Sequence, residues 1–185
     1  ESIQHPTIMP PTLVFSGKMD YRPNIDAAVW FANEIFPSIQ KLHDEAKFII
    51  VGQSPTRQVC NLVNHPGITV TGTVDDIRPY ISAATVCVVP LRMGGGTRFK
   101  ILEAMALSKP IVSTTIGAEG FPITSGKEIL IADTPEDIVR AINSLLCSED
   151  DRVVLGKAAR AFVSNKYRWQ TIVPIVENLY SRKIM

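Results

Sequence analysis

The sequence is poor in cysteine and carries almost no net charge, and both shortages exclude classes of protein. Its cysteines, Cys60, Cys87 and Cys147, are far apart and form no Cys-x-x-Cys pair. They therefore indicate neither a disulfide framework nor a zinc site, and they favour a reducing, cytoplasmic setting. With 19 basic and 18 acidic residues the formal net charge is +1, so we expect no nucleic-acid partner.

Long hydrophobic runs and leader segments are also missing. No apolar run reaches the roughly 20 residues that a membrane-spanning helix needs, and no signal peptide is recognisable. Peripheral attachment to a membrane through a segment outside this chain stays open. The composition, 45% hydrophobic over 185 residues, suits one globular domain with a substantial core.

Six short apolar runs rich in β-branched residues alternate with helical patterns. The predicted strands are residues 12–16, 47–52, 68–74, 86–91, 111–113 and 128–132. Such runs are typical of a parallel sheet covered on both faces. We therefore predict a doubly wound, Rossmann-like α/β domain over residues 12–185, with a six-stranded parallel sheet and a C-terminal helical pair. Residues 1–11 contain three prolines and are interpreted as a tail or linker.

Helical patterns fill the connections between the strands. The clearest start is Thr134-Pro135, where the threonine can cap a helix and the proline fits its first turn. The predicted helices are residues 25–39, 56–64, 79–83, 97–108, 138–147, 149–163 and 170–183.

Three glycines, Gly94, Gly95 and Gly96, join the fourth strand to the next helix. Glycines let a backbone approach a phosphate closely, and a helix N-terminus favours an anion. Thr97 follows as the predicted helix cap. A flexible loop capped by threonine is the simpler alternative, but it explains one or two glycines better than three.

Arg98 and Lys100 place positive charge at the first turn of that helix, the end that disfavours cations. A bound diphosphate would remove the conflict. Glu103 is as unusual, because on a helical wheel it falls among Phe99 and Leu102 on an apolar face. Such a carboxylate needs a partner, and either Lys100 or the hydroxyl groups of a ligand can supply it.

Glycines also end the first three predicted strands, at Gly17, Gly52 and Gly72. The carboxyl ends of parallel strands meet at one edge of the sheet, which is where open α/β sheets bind ligands. Four glycine breaks at one edge therefore predict a shared nucleotide site.

The chain from about Pro11 to Lys183 resembles the C-terminal, donor-binding domain of glycosyltransferase family 4 enzymes, which have the GT-B fold. The matching stretches, in the family's order, are residues 15–19 (Phe-Ser-Gly-Lys-Met), 50–52 (Ile-Val-Gly), 70–74 (Val-Thr-Gly-Thr-Val) with 76–80 and 83–90, 102–106 (Leu-Glu-Ala-Met-Ala) with 109–112 (Lys-Pro-Ile-Val), and 117–120. Together they cover nearly the whole chain, which makes the resemblance far more specific than any one motif.

The resemblance implies transfer of a sugar from a nucleotide diphosphate sugar, such as a UDP-sugar, to an acceptor. It implies retention of the anomeric configuration, no metal and no other cofactor, and a setting in polysaccharide or glycolipid biosynthesis. It also implies that an N-terminal, acceptor-binding domain lies outside this chain. We therefore expect these 185 residues alone to bind the nucleotide weakly and to transfer no sugar.

Residue roles follow from the matched motifs. Lys18, Arg98 and Lys100 are expected to face the diphosphate as the catalytic groups. Glu103 would accept hydrogen bonds from the ribose hydroxyls, which supplies its missing partner. The other residues expected to bind the nucleotide sugar are Gly17, Thr73, Val74, Gly94, Gly95, Gly96 and Thr97, with Thr73 and Val74 near the base.

Two positions depart from the family's pattern. The family usually has two glutamates eight positions apart; the second matches Glu103, but the first falls on Gly95. A common lysine after the first strand is replaced by Arg22-Pro23, and Arg22 is the predicted substitute.

Two alternatives stay open. A dinucleotide-dependent oxidoreductase would need Gly-x-Gly-x-x-Gly after the first strand, where this chain has one glycine. A nucleotide-sugar-binding domain without transferase activity would explain the glycine at position 95.

Overall fold

The computed structural model describes residues 10–181. The predicted tail at residues 1–11 lies outside the described residues except for Pro10 and Pro11. The end of the last predicted helix, residues 182–183, lies outside them as well.

The predicted six-stranded parallel sheet is confirmed. Its strands are β1 (Thr12–Ser16), β2 (Lys47–Val51), β3 (Ile68–Val70), β4 (Val86–Val89), β5 (Ile111–Ser113) and β6 (Leu130–Ile131). Their order is β3-β2-β1-β4-β5-β6, and all neighbours run parallel. The chain first winds outward from β1 to β3 and then returns to place β4 beside β1. The direction of winding therefore reverses between β1 and β4.

Helices cover the sheet in two groups. They are α1 (Arg22–Trp30), a π-helical turn (Phe31–Ile35), α2 (Phe36–Leu42), α3 (Arg57–Cys60), a 3-10 turn (Asn61–Asn64), α4 (Arg78–Ala83), α5 (Phe99–Ala106), α6 (Pro135–Cys147), α7 (Glu149–Lys166) and α8 (Trp169–Ser181). Crossovers between parallel strands are right-handed, so helices on either side of the reversal lie on opposite faces. Accordingly α2 packs with α6, whereas α5 contacts α4 and α7.

A wide turn interrupts the helix predicted at residues 25–39. Pro37 lies in this helical stretch and cannot donate the backbone hydrogen bond of a regular helix. Just before it, the Phe36 N–H donates to the Phe31 carbonyl, one residue further back than in an α-helix. The π-helical turn thus lets the helical stretch pass Pro37 without ending.

The core lies between the sheet and its two helical layers. Phe31 and Phe36 pack on Phe48 of β2, with ring centroids 4.6 Å and 5.7 Å apart. Cys87 of β4 is a small buried core residue, and burial raises the pKa of its thiol to about 12. This apolar centre fixes the strand ends on which the site is built.

The prediction of Thr97 as the cap of α5 is wrong. The capping position is occupied by Arg98, and no side chain accepts a hydrogen bond there. Thr97 instead uses its backbone carbonyl, which accepts from the Phe99 N–H at 3.1 Å. By contrast, the predicted cap of α6 is confirmed, because the Thr134 hydroxyl accepts from the Asp137 N–H.

The apolar pattern of α5 matches its burial only in part. Phe99, on the apolar face of the helical wheel, is 67% exposed, and Leu102 is only partly buried. The buried side chains are Ile101, Ala104 and Met105. The packing of α7 explains this orientation, because Gly156 brings the α7 backbone against the end of α5. A Cβ at Gly156 would lie 2.1 Å from the Ser108 carbonyl oxygen.

Candidate functional site

A cleft of about 440 Å³ opens at the carboxyl ends of β1, β2 and β4, where the winding of the sheet reverses. Residues 16–18 after β1, 51–53 at the end of β2 and 73–74 beyond β3 line one side. Gly95, Thr97, Arg98 and the first turns of α5 line the other. Open parallel α/β sheets bind their ligands in this place.

Most of the predicted site residues line the cleft. They are Gly17, Lys18, Thr73, Val74, Gly95, Thr97, Arg98, Lys100 and Glu103. Gly94 packs against Pro23 instead, and Gly96 lies on the outer side of the loop beside residues 119–121. Arg22 lines a separate groove on α1, so the structure does not bring it to the cleft.

The wall formed by the ends of β1 and β2 depends on a close backbone approach. A Cβ on Gly52 would lie 1.7 Å from the carbonyl oxygen of Gly17. The Gly17 N–H in turn donates to the Val51 carbonyl at 2.9 Å. Only glycine at position 52 permits this contact.

Lys100 lies on the floor of the cleft. Its Nζ donates to Asn24 Oδ1 at 2.7 Å and lies 4.2 Å from the centre of the Phe15 ring. Burial, together with the positive charge of Arg98, lowers the pKa of the amine to about 7, and Glu103 opposes the shift. An amine in this state can gain a proton when an anion enters the cleft.

Lys18 is exposed at the mouth of the cleft. Its amine lies 3.3 Å from Asp20. Exposed ion pairs of this kind contribute little to stability, so the amine can exchange its partner for a ligand at little cost.

Arg98 is buried, and its guanidinium is turned toward the backbone. It donates to the carbonyl oxygens of Gly94 and Gly95, both at 2.7 Å, and to that of Ile116 at 3.3 and 3.4 Å. Its guanidinium also lies 3.8 Å from the Glu119 carboxylate. Arg98 thus ties the glycine loop to the segment after β5. Its predicted contact with a diphosphate stays a prediction.

Glu103 faces the cleft without a partner from the chain. Among residues 10–181 its carboxylate makes no hydrogen bond or ion pair, so the proposed pair with Lys100 does not form. Partial burial raises its pKa, and Lys100 opposes that shift. The carboxylate is therefore available to accept hydrogen bonds from a ligand.

The sequence did not reveal Asn24 or Tyr21 as site residues. Asn24 immediately precedes the helix predicted at residues 25–39, yet its side chain reaches the amine of Lys100. Tyr21 lines the cleft from the same loop. No motif marks either residue; the one hint is their place between a glycine turn and the first turn of a helix.

Within residues 10–181 no helix is long and apolar enough to cross a membrane. In the same part of the chain, no three His, Cys, Asp or Glu side chains converge as a metal ion requires. Independence of metals and cofactors stays a prediction.

A cleft at the reversal point of a parallel sheet, lined by a glycine loop, basic groups and a carboxylate, is typical of nucleotide-binding α/β domains. Residues 10–148 match the family model for group 1 glycosyl transferases. The match covers most of the chain, and the protein therefore belongs to the group 1 glycosyltransferase family.

Curated relatives agree with this family. The chain is 27% identical over 179 residues to a GDP-mannose-dependent alpha-(1-6)-phosphatidylinositol monomannoside mannosyltransferase of Mycobacterium tuberculosis, covering 88% of this chain and 45% of that protein. It is 29% identical over 124 residues to an uncharacterised glycosyltransferase of Methanocaldococcus jannaschii, covering 66% and 35%. The chain thus spans less than half the length of these relatives.

Solved structures confirm the predicted GT-B type of domain. A sucrose-phosphate synthase from Thermosynechococcus elongatus superposes with a TM-score of 0.77 at 21% identity, over 95% of this chain and 46% of that one. Anabaena HepE, in complex with UDP and glucose, has a TM-score of 0.73 at 17% identity, over 92% of this chain and 48% of that one. The C-terminal domain of a group 1 glycosyl transferase protein from Francisella tularensis has a TM-score of 0.67 at 16% identity, over 86% of this chain and 87% of that one.

Proposed function

We propose that this chain is the donor-binding part of a retaining glycosyltransferase, which moves a sugar from a nucleotide diphosphate sugar to an acceptor. The observation that carries the proposal is the cleft itself, where the Lys100 amine and the unpartnered Glu103 carboxylate face the same space. An amine and a carboxylate so placed suit a ligand with both phosphates and hydroxyls. The M. tuberculosis relative named above, which uses GDP-mannose, and the UDP complex of HepE support this class of ligand.

In this proposal different residues of the cleft bind the base, the ribose and the diphosphate of the donor. Glu103 accepts hydrogen bonds from the ribose hydroxyls, and Thr73 and Val74 lie near the base. Lys18 and Lys100 meet the diphosphate, together with the backbone of the glycine loop around Gly95. In the transfer step the bond between the sugar and the diphosphate breaks, and these cationic groups stabilise the negative charge of the departing nucleoside diphosphate.

Arg98 takes a different part in this proposal. Its guanidinium already donates to the carbonyls of Gly94 and Gly95, so its donors are largely occupied. It supports the diphosphate site by fixing the loop and by its charge, which lies close enough to lower the pKa of Lys100.

The other half of the reaction belongs to residues outside this chain. We propose an N-terminal acceptor-binding domain, a cytoplasmic location, and an acceptor from polysaccharide or glycolipid biosynthesis that permits peripheral contact with a membrane. The length of the curated relatives supports the missing domain, and the lipid-linked substrate named for the M. tuberculosis relative supports the acceptor class. Transfer without metal or another cofactor is part of the same proposal.

Thermal-shift measurements with UDP, GDP, ADP, their sugars and NAD test the donor class. We expect one nucleoside diphosphate to raise the melting temperature of the chain. Glu103→Ala should abolish that rise, whereas Glu45→Ala, an exposed carboxylate outside the cleft, should leave it unchanged. Stabilisation by NAD and by no diphosphate would favour the oxidoreductase instead.

Assays of sugar transfer test whether the reaction needs a second, acceptor-binding domain. The 185-residue chain should transfer no sugar, and the full-length protein should do so until Glu103 is replaced by alanine. Diphosphate binding combined with no transfer by the full-length protein would favour a non-catalytic binding domain, and transfer by these residues alone would refute the missing acceptor domain.

A further inference from the structure

Asn24 links the two sides of the cleft floor. Among residues 10–181 it is one of the few buried polar residues, 7% exposed, and it lies in the first turn of α1. Its Nδ2 donates to the Lys18 carbonyl at 2.9 Å, and its Oδ1 accepts from Lys100 Nζ at 2.7 Å. Both polar ends of one side chain are therefore used to join the loop after β1 to α5.

The absence of a side chain at Gly17 makes room for this contact. A Cβ at Gly17 would lie 2.7 Å from Asn24 Nδ2 and 2.9 Å from Lys100 Nζ. The amide and the amine thus fill the space directly beneath the turn that lines the cleft. This packing leaves the Lys100 amine little freedom to move.

The surroundings of Lys100 make Asn24 important. The Phe15 ring covers one side of the amine, and among residues 10–181 Asn24 Oδ1 is the only hydrogen-bond acceptor within reach. On its own helix segment Arg98 disfavours the charged amine and Glu103 favours it. From β4 the side chain of Cys87 lines, together with Lys100, a small cavity that is separate from the cleft, and its raised pKa keeps the thiol uncharged.

We propose that Asn24 is a positioning residue, which holds the Lys100 amine on the cleft floor at the point where a diphosphate arrives. The inference rests on the proposed function for the identity of the ligand, but the hydrogen bond between Asn24 and Lys100 is present in the free chain. Asn24 itself need not touch the ligand.

Proton uptake on binding follows from this arrangement. The amine of the free chain has a pKa of about 7, and the negative charge of a diphosphate favours its protonated form. Above that pH, binding must draw a proton from the solvent. Affinity should therefore fall as the pH rises from 7 toward 9, by up to about tenfold per pH unit.

The first arm of the test needs no ligand. Lysine side chains labelled with ¹³C at Cε are titrated by NMR in the wild-type chain and in variants, and Lys100 is assigned by its loss in Lys100→Met. Asn24→Asp should move the Lys100 titration to higher pH, because a carboxylate favours the ammonium. Asn24→Ala should move it to lower pH, because the acceptor is lost. Asn61→Asp, exposed and outside the cleft, is the control.

A merely structural role gives a different result. If Asn24 only supports the loop, both variants lose stability while the Lys100 titration stays within 0.3 of the wild-type pKa (about the precision of the measurement). That outcome would overturn the proposal.

The second arm measures UDP and GDP binding by calorimetry between pH 6.5 and 9, in buffers of different ionisation enthalpy. We expect proton uptake with the wild-type chain, about fivefold to tenfold weaker binding at pH 7 with Asn24→Ala, and a flatter pH profile with Asn24→Asp. Binding and pH profiles that do not respond to Asn24 would overturn the proposal. If neither diphosphate binds while the titration shifts as expected, the proposed donor site is wrong and the positioning of Lys100 by Asn24 stands.

Discussion

The two walls of the cleft are held in place by different means. On the side of β1 and β2, backbone packs on backbone, and Gly52 leaves no space for even a methyl group beside Gly17. On the side of the glycine loop, Gly95 and Gly96 have open space around them, and one buried side chain, Arg98, ties the loop to its neighbour. The first wall is therefore fixed by a backbone contact, whereas the hydrogen bonds that hold the second come from one side chain.

Arg98 and Lys100 differ in a second way. They lie two positions apart, and the sequence predicted the same role for both. Arg98 turns back to the loop carbonyls, whereas Lys100 faces the cleft and is held by Asn24. Position at a helix start thus determines what a basic residue can do, and charge alone does not.

The largest loss of stability should come from disturbing the backbone contact between Gly52 and Gly17. Gly52→Ala forces a methyl group against the Gly17 carbonyl, and we expect a loss of about 4 kcal/mol or failure to fold. Gly95→Ala, whose Cβ would meet nothing within 4 Å, should change stability by less than about 0.5 kcal/mol. Urea denaturation followed by circular dichroism measures both. Equal effects of the two substitutions would remove the contrast between the walls.

Removal of the Arg98 side chain, which holds the glycine loop, should give the next largest loss of stability. Arg98→Ala leaves the carbonyls of Gly94 and Gly95 without their donor, and we expect a loss of about 2 kcal/mol. Hydrogen exchange of the Phe99 and Ala118 amides, which donate hydrogen bonds on the two sides of the Arg98 contacts, should accelerate. Arg78→Ala, which removes an exposed pair with Asp76, should leave that exchange unchanged. Unchanged protection of both amides in Arg98→Ala would show that something else holds the loop.

Lys100 should lower the stability of the folded chain, although it is proposed to bind the ligand. Its pKa is lowered from 10.5 to about 7 in the folded chain, so the unfolded chain binds more protons between these values. Stability from this residue therefore rises with pH over that window. Lys100→Met should stabilise the chain by about 1 to 2 kcal/mol at pH 6, after allowance for solvent at the cleft, and the gain should shrink toward pH 10.5.

Denaturation midpoints of Lys100→Met across this pH range check the expectation, with Lys157→Met on the exposed side of α7 as the control. A gain that grows with pH would contradict the sign of the shift.

The smallest effect concerns the two threonines predicted as helix caps. Thr134→Ala removes a hydroxyl that accepts from the Asp137 N–H, and should cost about 0.5 to 1 kcal/mol. Thr97→Ala removes a hydroxyl that caps nothing, so its thermal midpoint should match that of the wild type. A comparable loss at both positions would restore Thr97 as a cap.

The sheet could be predicted because its strands are buried on both faces. A run such as Val86–Val89 is apolar throughout, and this pattern does not depend on which helix packs where. The turn at Pro37 and the orientation of α5 could not be predicted in the same way. A helix apolar on most sides, as α5 is, takes its orientation from its neighbours, here from α7 at Gly156.

The site was predictable in its location and less so in its contacts. Glycines at the ends of parallel strands indicate the edge of the sheet, and Gly17, Thr73, Gly95 and Glu103 do line one cleft. The direction of a long side chain is not encoded by spacing. Arg98 lies at a capping position with φ −86° and ψ 69°, which turns its guanidinium to the loop. Asn24 became visible only through its contacts.

Chemical-shift mapping of the ¹⁵N-labelled chain with UDP and GDP tests the central claim most directly. We predict that one of the two diphosphates shifts the amides of Gly17, Thr73, Gly95 and Glu103 together, because these residues line a single cleft. Shifts confined to the groove on α1 around Trp30, or shifts with NAD and with neither diphosphate, would contradict a nucleotide-sugar site at this edge of the sheet.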